Sequence, residues 1–245
     1  MTFDEWRAFR DDREARLRDP HGWLAITAIH WLTSTPERFD DVPGEWFGAD
    51  DTATVTLADD ETLTTEAGVT MATGVHVLGP LDEDGITLSF GDAVAQVAKR
   101  DSGIIVRPRH PDSPNLTDFG GTPVFDYDPS WELRGRVEGE QVVFERDGAE
   151  HRLTAWPEDD GSLWILFRDA TSGVTTYAAN RQLLVDPPAA DGSVTIDFNL
   201  AMNMPCAYTD FATCPLPPPE NTLAVAVEAG EKTPPKPPRN TGPAD

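Results

Sequence analysis

Residues 131–168 read WELRGRVEGEQVVFERDGAEHRLTAWPEDDGSLWILFR, and this stretch decides the fold. Four segments, WELRGRVE, QVVFER, AEHRLTAW and SLWILFR, read as strands on a period of two, which puts alternate side chains on one face. Gly139-Glu140, Asp147-Gly148 and Asp160-Gly161 separate them. Asp-Gly suits a type I′ hairpin, whose central residues need positive φ. Short strands joined by tight turns, with no helical pattern between them, predict antiparallel sheet.

Upstream, the same period recurs in TATVTLA (52–58), ITLSF (86–90), AVAQVAKR (93–100) and GIIVRP (103–108). The spacing predicts a mainly β fold, an antiparallel barrel or sandwich with N-terminal helices and a long C-terminal covering loop. It predicts one domain over residues 1–231. Residues 3–18 read as a helix with Phe3, Trp6, Phe9 and Leu17 near one face and Arg and Asp elsewhere. Thr2 and Glu5 have the spacing of a capping box. In WLAITAIHWL (23–32), Trp23, Ile26, Thr27, His30 and Trp31 share helical spacing and suggest a buried packing helix or turn. His30 is read there as a satisfied core residue rather than a ligand. The long connection 110–131 is expected to line one mouth of a barrel, and the Pro-rich tail 232–245 to be disordered.

The chain has 43 acidic against 19 basic residues, a formal net charge of -24. Acid pairs such as Asp40-Asp41, Asp59-Asp60 and Asp159-Asp160 read as a solvated shell. Such self-repulsion is screened at about 1 M salt, where the Debye length is about 3 Å. The expectation is a protein of a salt-adapted microbe. An acidic partner-binding surface is the alternative, against which the even spread of acids argues. Nothing offers a basic stripe for nucleic acid. The charged N-terminus lacks the apolar core of a signal peptide, and the longest apolar run, 23–32, is too short to cross a bilayer. A cytoplasmic protein with no membrane partner is expected.

Downstream lies DFNLAMNMPCAYTDFATCPLPPPENTLAVAVEAGE (197–231). It is long and weakly periodic, yet too rich in Met, Phe and Tyr for a linker. Asp197, Asn199, Asn203, Glu220 and Asn221 could bind a hard cation or a polar ligand, or could hold irregular backbone. Cys206 and Cys214 are buried thiols, a disulfide, or a metal-ligand or redox pair. A second constellation is Arg168, Asp169, Tyr177 and Arg181. There Arg181 pairs with Asp169 under the loop or binds an anion, and the ion pair is favoured. The covering stretch is expected to reverse near Pro205 and return through Pro215–Pro219 without extending the sheet centrally, since prolines donate no ladder hydrogen bond. Arg168 or Arg181 is expected to meet Asp197 or Glu220 from beneath. A pocket is expected near Trp164 and Tyr177. No G-x-S-x-G, HExxH or Gly-rich phosphate loop occurs.

FRDATSGVTTYAANR (167–181), DFNLAMNMPCAY (197–208), TCPLPPPEN (213–221), AGEK (229–232) and GWLAITAIHWL (22–32) together resemble the DUF1684 family. The resemblance runs from about Glu5 to Glu231. The family commonly has Tyr and Pro where this chain has Met202 and Met204. It is a family of unknown function, so the resemblance implies no chemistry, cofactor or catalytic residue. The reading is a small-molecule-binding β domain. One rival is a hydrolase-like enzyme with Asp169 or Asp197 as base, with or without a metal. The other is an interaction module using the Pro-rich segment 215–219 and the tail.

Overall fold

A computed structural model of the chain describes residues 1–235. The chain divides into two compact units, one of residues 17–119, the other of residues 1–16 together with the chain from Gly120 onward.

Helix α1 spans Phe3–Leu17. Its capping box forms as expected: Glu5 N–H donates to Thr2 Oγ1 at 3.3 Å, and Thr2 N–H donates to Glu5 Oε2 at 2.7 Å. The expected inward face is realised in part, with Leu17 buried and Trp6 and Phe9 half-buried. Phe3 is 50% exposed, whereas Arg10 is 7% exposed. Arg10 and Arg13, one turn apart, are drawn inward by a buried carboxylate described below.

In the 17–119 unit, two antiparallel sheets share one core. The first runs β1 (His30–Trp31), β10 (Gly103–Arg109), β9 (Ala93–Arg100), β8 (Ile86–Phe90), β5 (Leu63–Thr65) and β6 (Thr70–Met71). The second runs β2 (Glu37–Phe39), β3 (Val42–Ala49), β4 (Thr52–Leu57) and β7 (Gly74–Leu78). Trp46 and Val55 of the second sheet pack with Leu88, Val97 and Val106 of the first. Residues 23–32 are not a helix. A 3₁₀ turn at Trp23–Ala25 is followed by a bridge from Ile26 to Arg109 and then by β1, paired to β10. The β-branched run Ile26, Thr27, Ile29 favours extended backbone, and the β10 edge supplies hydrogen-bond partners. His30 is satisfied, its Nε2 lying 2.7 Å from Asp41 Oδ1.

The other unit is likewise two sheets. One runs β13 (Ala149–Thr154), β12 (Gln141–Arg146), β11 (Glu132–Glu138) and β17 (Ser193–Asp197). The other runs β14 (Trp156–Pro157), β15 (Leu163–Phe167), β16 (Arg181–Val185) and β18 (Met202–Asn203). Phe144, Leu153 and Ile196 from the first meet Ile165, Phe167 and Leu183 from the second. The β12–β13 turn has Asp147 at φ 53° and Gly148 at φ 76°, both in the region a type I′ turn requires.

Among the described residues none of the sheets closes into a barrel, so the sandwich half of the expectation is the one realised. The fold has few helices. The 110–131 connection holds a short helix α2 (Pro114–Thr117) and a 3₁₀ turn at Pro129–Trp131. With no closed barrel there is no mouth for it to line. Lys232 N–H donates to Pro123 O at 2.8 Å and Thr233 N–H to Thr175 O at 3.1 Å. The rest of the segment read as a disordered tail, from Lys236, lies outside the described residues. No helix among the described residues is long and apolar enough to cross a membrane.

Candidate functional site

Glu231 sits at the centre of a polar network of the C-terminal stretch and is fully buried. Its carboxylate accepts from Arg10 Nη1 at 2.7 Å, Arg13 Nε at 3.1 Å, Asn203 N–H at 2.6 Å and the Tyr208 hydroxyl at 2.9 Å. Burial opposes the charge, but Arg13 and Arg10 outweigh it and hold the carboxyl below its ordinary 4.5. Burial and the Glu231 charge push the Tyr208 phenol up. Sequence reasoning missed this group. Two signals were available: Arg10 and Arg13 lie one turn apart, and Glu231 lies inside AGEK.

A second buried ion pair adjoins it. Arg181 Nη2 donates to Asp169 Oδ2 at 2.7 Å, as expected, and to Val227 O at 3.0 Å, while Nη1 reaches Ala229 O. Asp169 Oδ1 accepts from Thr171 N–H at 2.7 Å, Thr171 Oγ1 at 2.6 Å and Val227 N–H at 3.3 Å. Both carboxylate oxygens are therefore engaged. Arg181 and Asn203 are register partners in the β16–β18 pair, so Asp169, Arg181, Asn203 and Glu231 belong to one connected network. Arg181, one of two arginines expected to meet Asp197 or Glu220, meets Asp169 instead. Arg168 is exposed and serves through its backbone, its N–H donating to Asn221 O at 2.8 Å.

The remaining polar candidates work in other places. Asp197 Oδ1 accepts from Asn199 N–H at 3.0 Å and Asn199 Nδ2 at 2.8 Å. Its Oδ2 is buried without a donor among the described residues, and burial raises its pKa. Asn199 Nδ2 also donates to Asp128 O at 2.9 Å, and Asp128 N–H returns a bond to Asn199 Oδ1 at 3.1 Å. Asn221 accepts from Thr154 N–H and donates to Thr154 O, both at 2.8 Å, and to Leu166 O at 2.7 Å. It ties β13 to β15. Glu220 is exposed. No group of three or more His, Cys, Asp or Glu among the described residues is arranged to hold a metal.

Tyr177 stands with the cysteines. Its hydroxyl donates to Cys206 O at 3.0 Å, and burial, with Cys206 beside it, pushes its pKa to about 12. Cys206 and Cys214 are not joined by a disulfide.

The expected pocket exists in part. A groove of about 340 Å³ on the β14-β15-β16-β18 sheet is lined by Glu158, Trp164, Gln182, Leu184 and Met202. Register explains it. Trp156 pairs with Trp164 and Trp164 with Leu184, while Gln182 pairs with Met202. Directly opposed residues share a face. Leu184 is 49% and Trp156 37% exposed on it. Trp164 Nε1 donates to Gln182 Oε1 at 2.9 Å, which fixes the indole plane. The covering stretch contributes Met202, as an edge strand. Tyr177 is not part of the lining.

Residues 138–232 match the model of a family described as "Protein of unknown function (DUF1684)". An uncharacterised protein of Haloarcula marismortui, solved by solution NMR, is 32% identical, covering 48% of this chain and 78% of its own, with a TM-score of 0.42. No curated protein matches.

Proposed function

The chain belongs to the DUF1684 family, whose function is unknown, and on that premise we propose that it is a small-molecule-binding β domain whose ligand rests in the Trp164 groove. The observation that carries this reading is a half-exposed apolar row, Trp156, Trp164 and Leu184, with one acid, Glu158, at the groove. Other exposed apolar side chains, such as Val75, Val77 and Val174, line no such groove with an indole and an acid. Groove size supports a small ligand, since such sites are commonly about 300–1,000 Å³. An indole face favours a planar ring, and Glu158 favours a cationic or donor group on it.

The test is an NMR titration with tryptamine, a planar cation, read at the indole N–H of Trp164 and of its register partner Trp156, the latter remaining in Trp164→Ala. A saturable shift is expected, weakened roughly tenfold or more in Trp164→Ala and in Glu158→Gln. 3-Methylindole, which lacks the ammonium, should bind more weakly than tryptamine. No saturable shift, or one that keeps its full affinity in Trp164→Ala, rejects the groove. A hydrolase reading rests on Asp197 rather than Asp169, because only the former of these two keeps an oxygen without a donor. Hydrolysis of a test ester that persists in Asp197→Asn would remove it.

A further inference from the structure

We propose that Cys206 and Cys214 are a redox-active dithiol that exchanges with low-molecular-weight disulfides and closes reversibly into an intramolecular disulfide. The chain between them doubles back. A 3₁₀ turn at Pro205–Ala207 starts the reversal, with Tyr208 N–H donating to Pro205 O at 2.9 Å and Thr209 N–H to the same oxygen at 3.1 Å. Phe211 N–H then donates to Thr209 Oγ1 at 3.2 Å. The return brings Cys214 Sγ to 3.2 Å from Cys206 N. With an N–Cα bond of about 1.46 Å, that sulfur lies within about 4.7 Å of the Cys206 Cα. Bridged cysteines have Cα atoms about 4.4–6.8 Å apart, and this approach is compatible with that range.

Both ends of the loop are pinned by one segment. Tyr177 donates to the Cys206 carbonyl at 3.0 Å, and Asn180 Nδ2 donates to the carbonyl of Pro215, the residue after Cys214, at 2.8 Å. The backbone is therefore held ready for the bond. Both cysteines are partly exposed, so a small disulfide has access.

The amide N–H directed at Cys214 Sγ favours negative charge there, which makes Cys214 the attacking thiolate. It attacks a disulfide RSSR, forming a mixed disulfide and expelling one RS⁻, which takes up the proton Cys214 gave up. The Cys206 thiolate then attacks the Cys214 sulfur. The second RS⁻ leaves and is protonated by the proton from Cys206. Two thiols are oxidised, and one RSSR is reduced to two RSH.

The experiment treats the full chain with glutathione disulfide and maps the peptides by mass spectrometry. The expected product is a Cys206–Cys214 bridge without attached glutathione, reversed by reduced glutathione. In Cys206→Ser, Cys214 should retain one glutathione. It should acquire it about tenfold faster than Cys206 does in Cys214→Ser. Wild type that stays reduced, stops at a doubly glutathionylated form or bridges between molecules overturns the proposal. The wild-type result needs no variant to fold.

Discussion

At Glu231, two guanidiniums, one phenol and one backbone amide share a single carboxylate with no exposed surface. Removing one partner of a buried ion pair leaves uncompensated charge and costs about 3–5 kcal/mol. Glu231→Gln should lose that much in denaturant unfolding. Its pH dependence follows from the lowered carboxyl pKa. In the folded protein Glu231 binds protons more weakly than in the unfolded chain, so its contribution is full above 4.5 and is lost as the pH falls through the lower folded value. Stability of the wild type should therefore decline below that pH more steeply than stability of Glu231→Gln. Asn221 offers a contrast with its neighbour. It satisfies three backbone groups, so Asn221→Ala should cost roughly 1–3 kcal/mol, whereas exposed Glu220→Ala should stay within about 0.5 kcal/mol. Equal costs in thermal melts would contradict this division.

Strand β11 is closely enclosed at Gly135. A Cβ at Gly135 would lie 2.6 Å from Val143 O and 2.7 Å from Ile196 Cδ1, because β11 is held between β12 and β17. Gly135→Ala should destabilise by about 1–3 kcal/mol, through displaced backbone rather than lost burial. Circular dichroism melts of that variant against Gly139→Ala separate this effect from ordinary turn strain. Gly139, at φ 64°, meets nothing within 4 Å, so its cost should be the smaller. The β18 edge strand shows how the C-terminal stretch relates to the sheet. Met202 and Asn203 pair with β16, and the chain then leaves the ladder at Met204-Pro205. The prolines that follow keep it from pairing further.

For the molecule as a whole, charge sets the conditions under which these contacts hold. A net charge of -24 opposes every compact state in dilute buffer. The melting temperature is expected to rise from low salt to about 1 M KCl, because the screening length falls to about 3 Å. A flat profile across that range would show that the acids are already compensated. The two units offer an internal comparison. Each has its own two-sheet core, so hydrogen exchange should report whether they lose protection together or separately as salt is removed.

Alternation in WELRGRVE, and the Asp147-Gly148 turn, were enough to determine antiparallel strands, because strand period and positive-φ turns are local properties of the backbone. The Thr2–Glu5 cap was equally legible, since its partners are three residues apart. The Asp169–Arg181 pair was legible by chemistry, as a scarce arginine twelve residues from an acid in a chain poor in basic residues. Tertiary structure alone decided the rest. Residues 23–32 have helical spacing, yet become a turn and strand because the β10 edge offers hydrogen bonds a lone helix there would not. Arg10 and Arg13 look like solvent-side charges until Glu231, more than 200 residues away, is placed beneath them. The groove depends on the register of three strands and on Met202 arriving at their edge. Such placements arise from contacts between distant segments, whose pairing leaves no periodic trace in either segment alone.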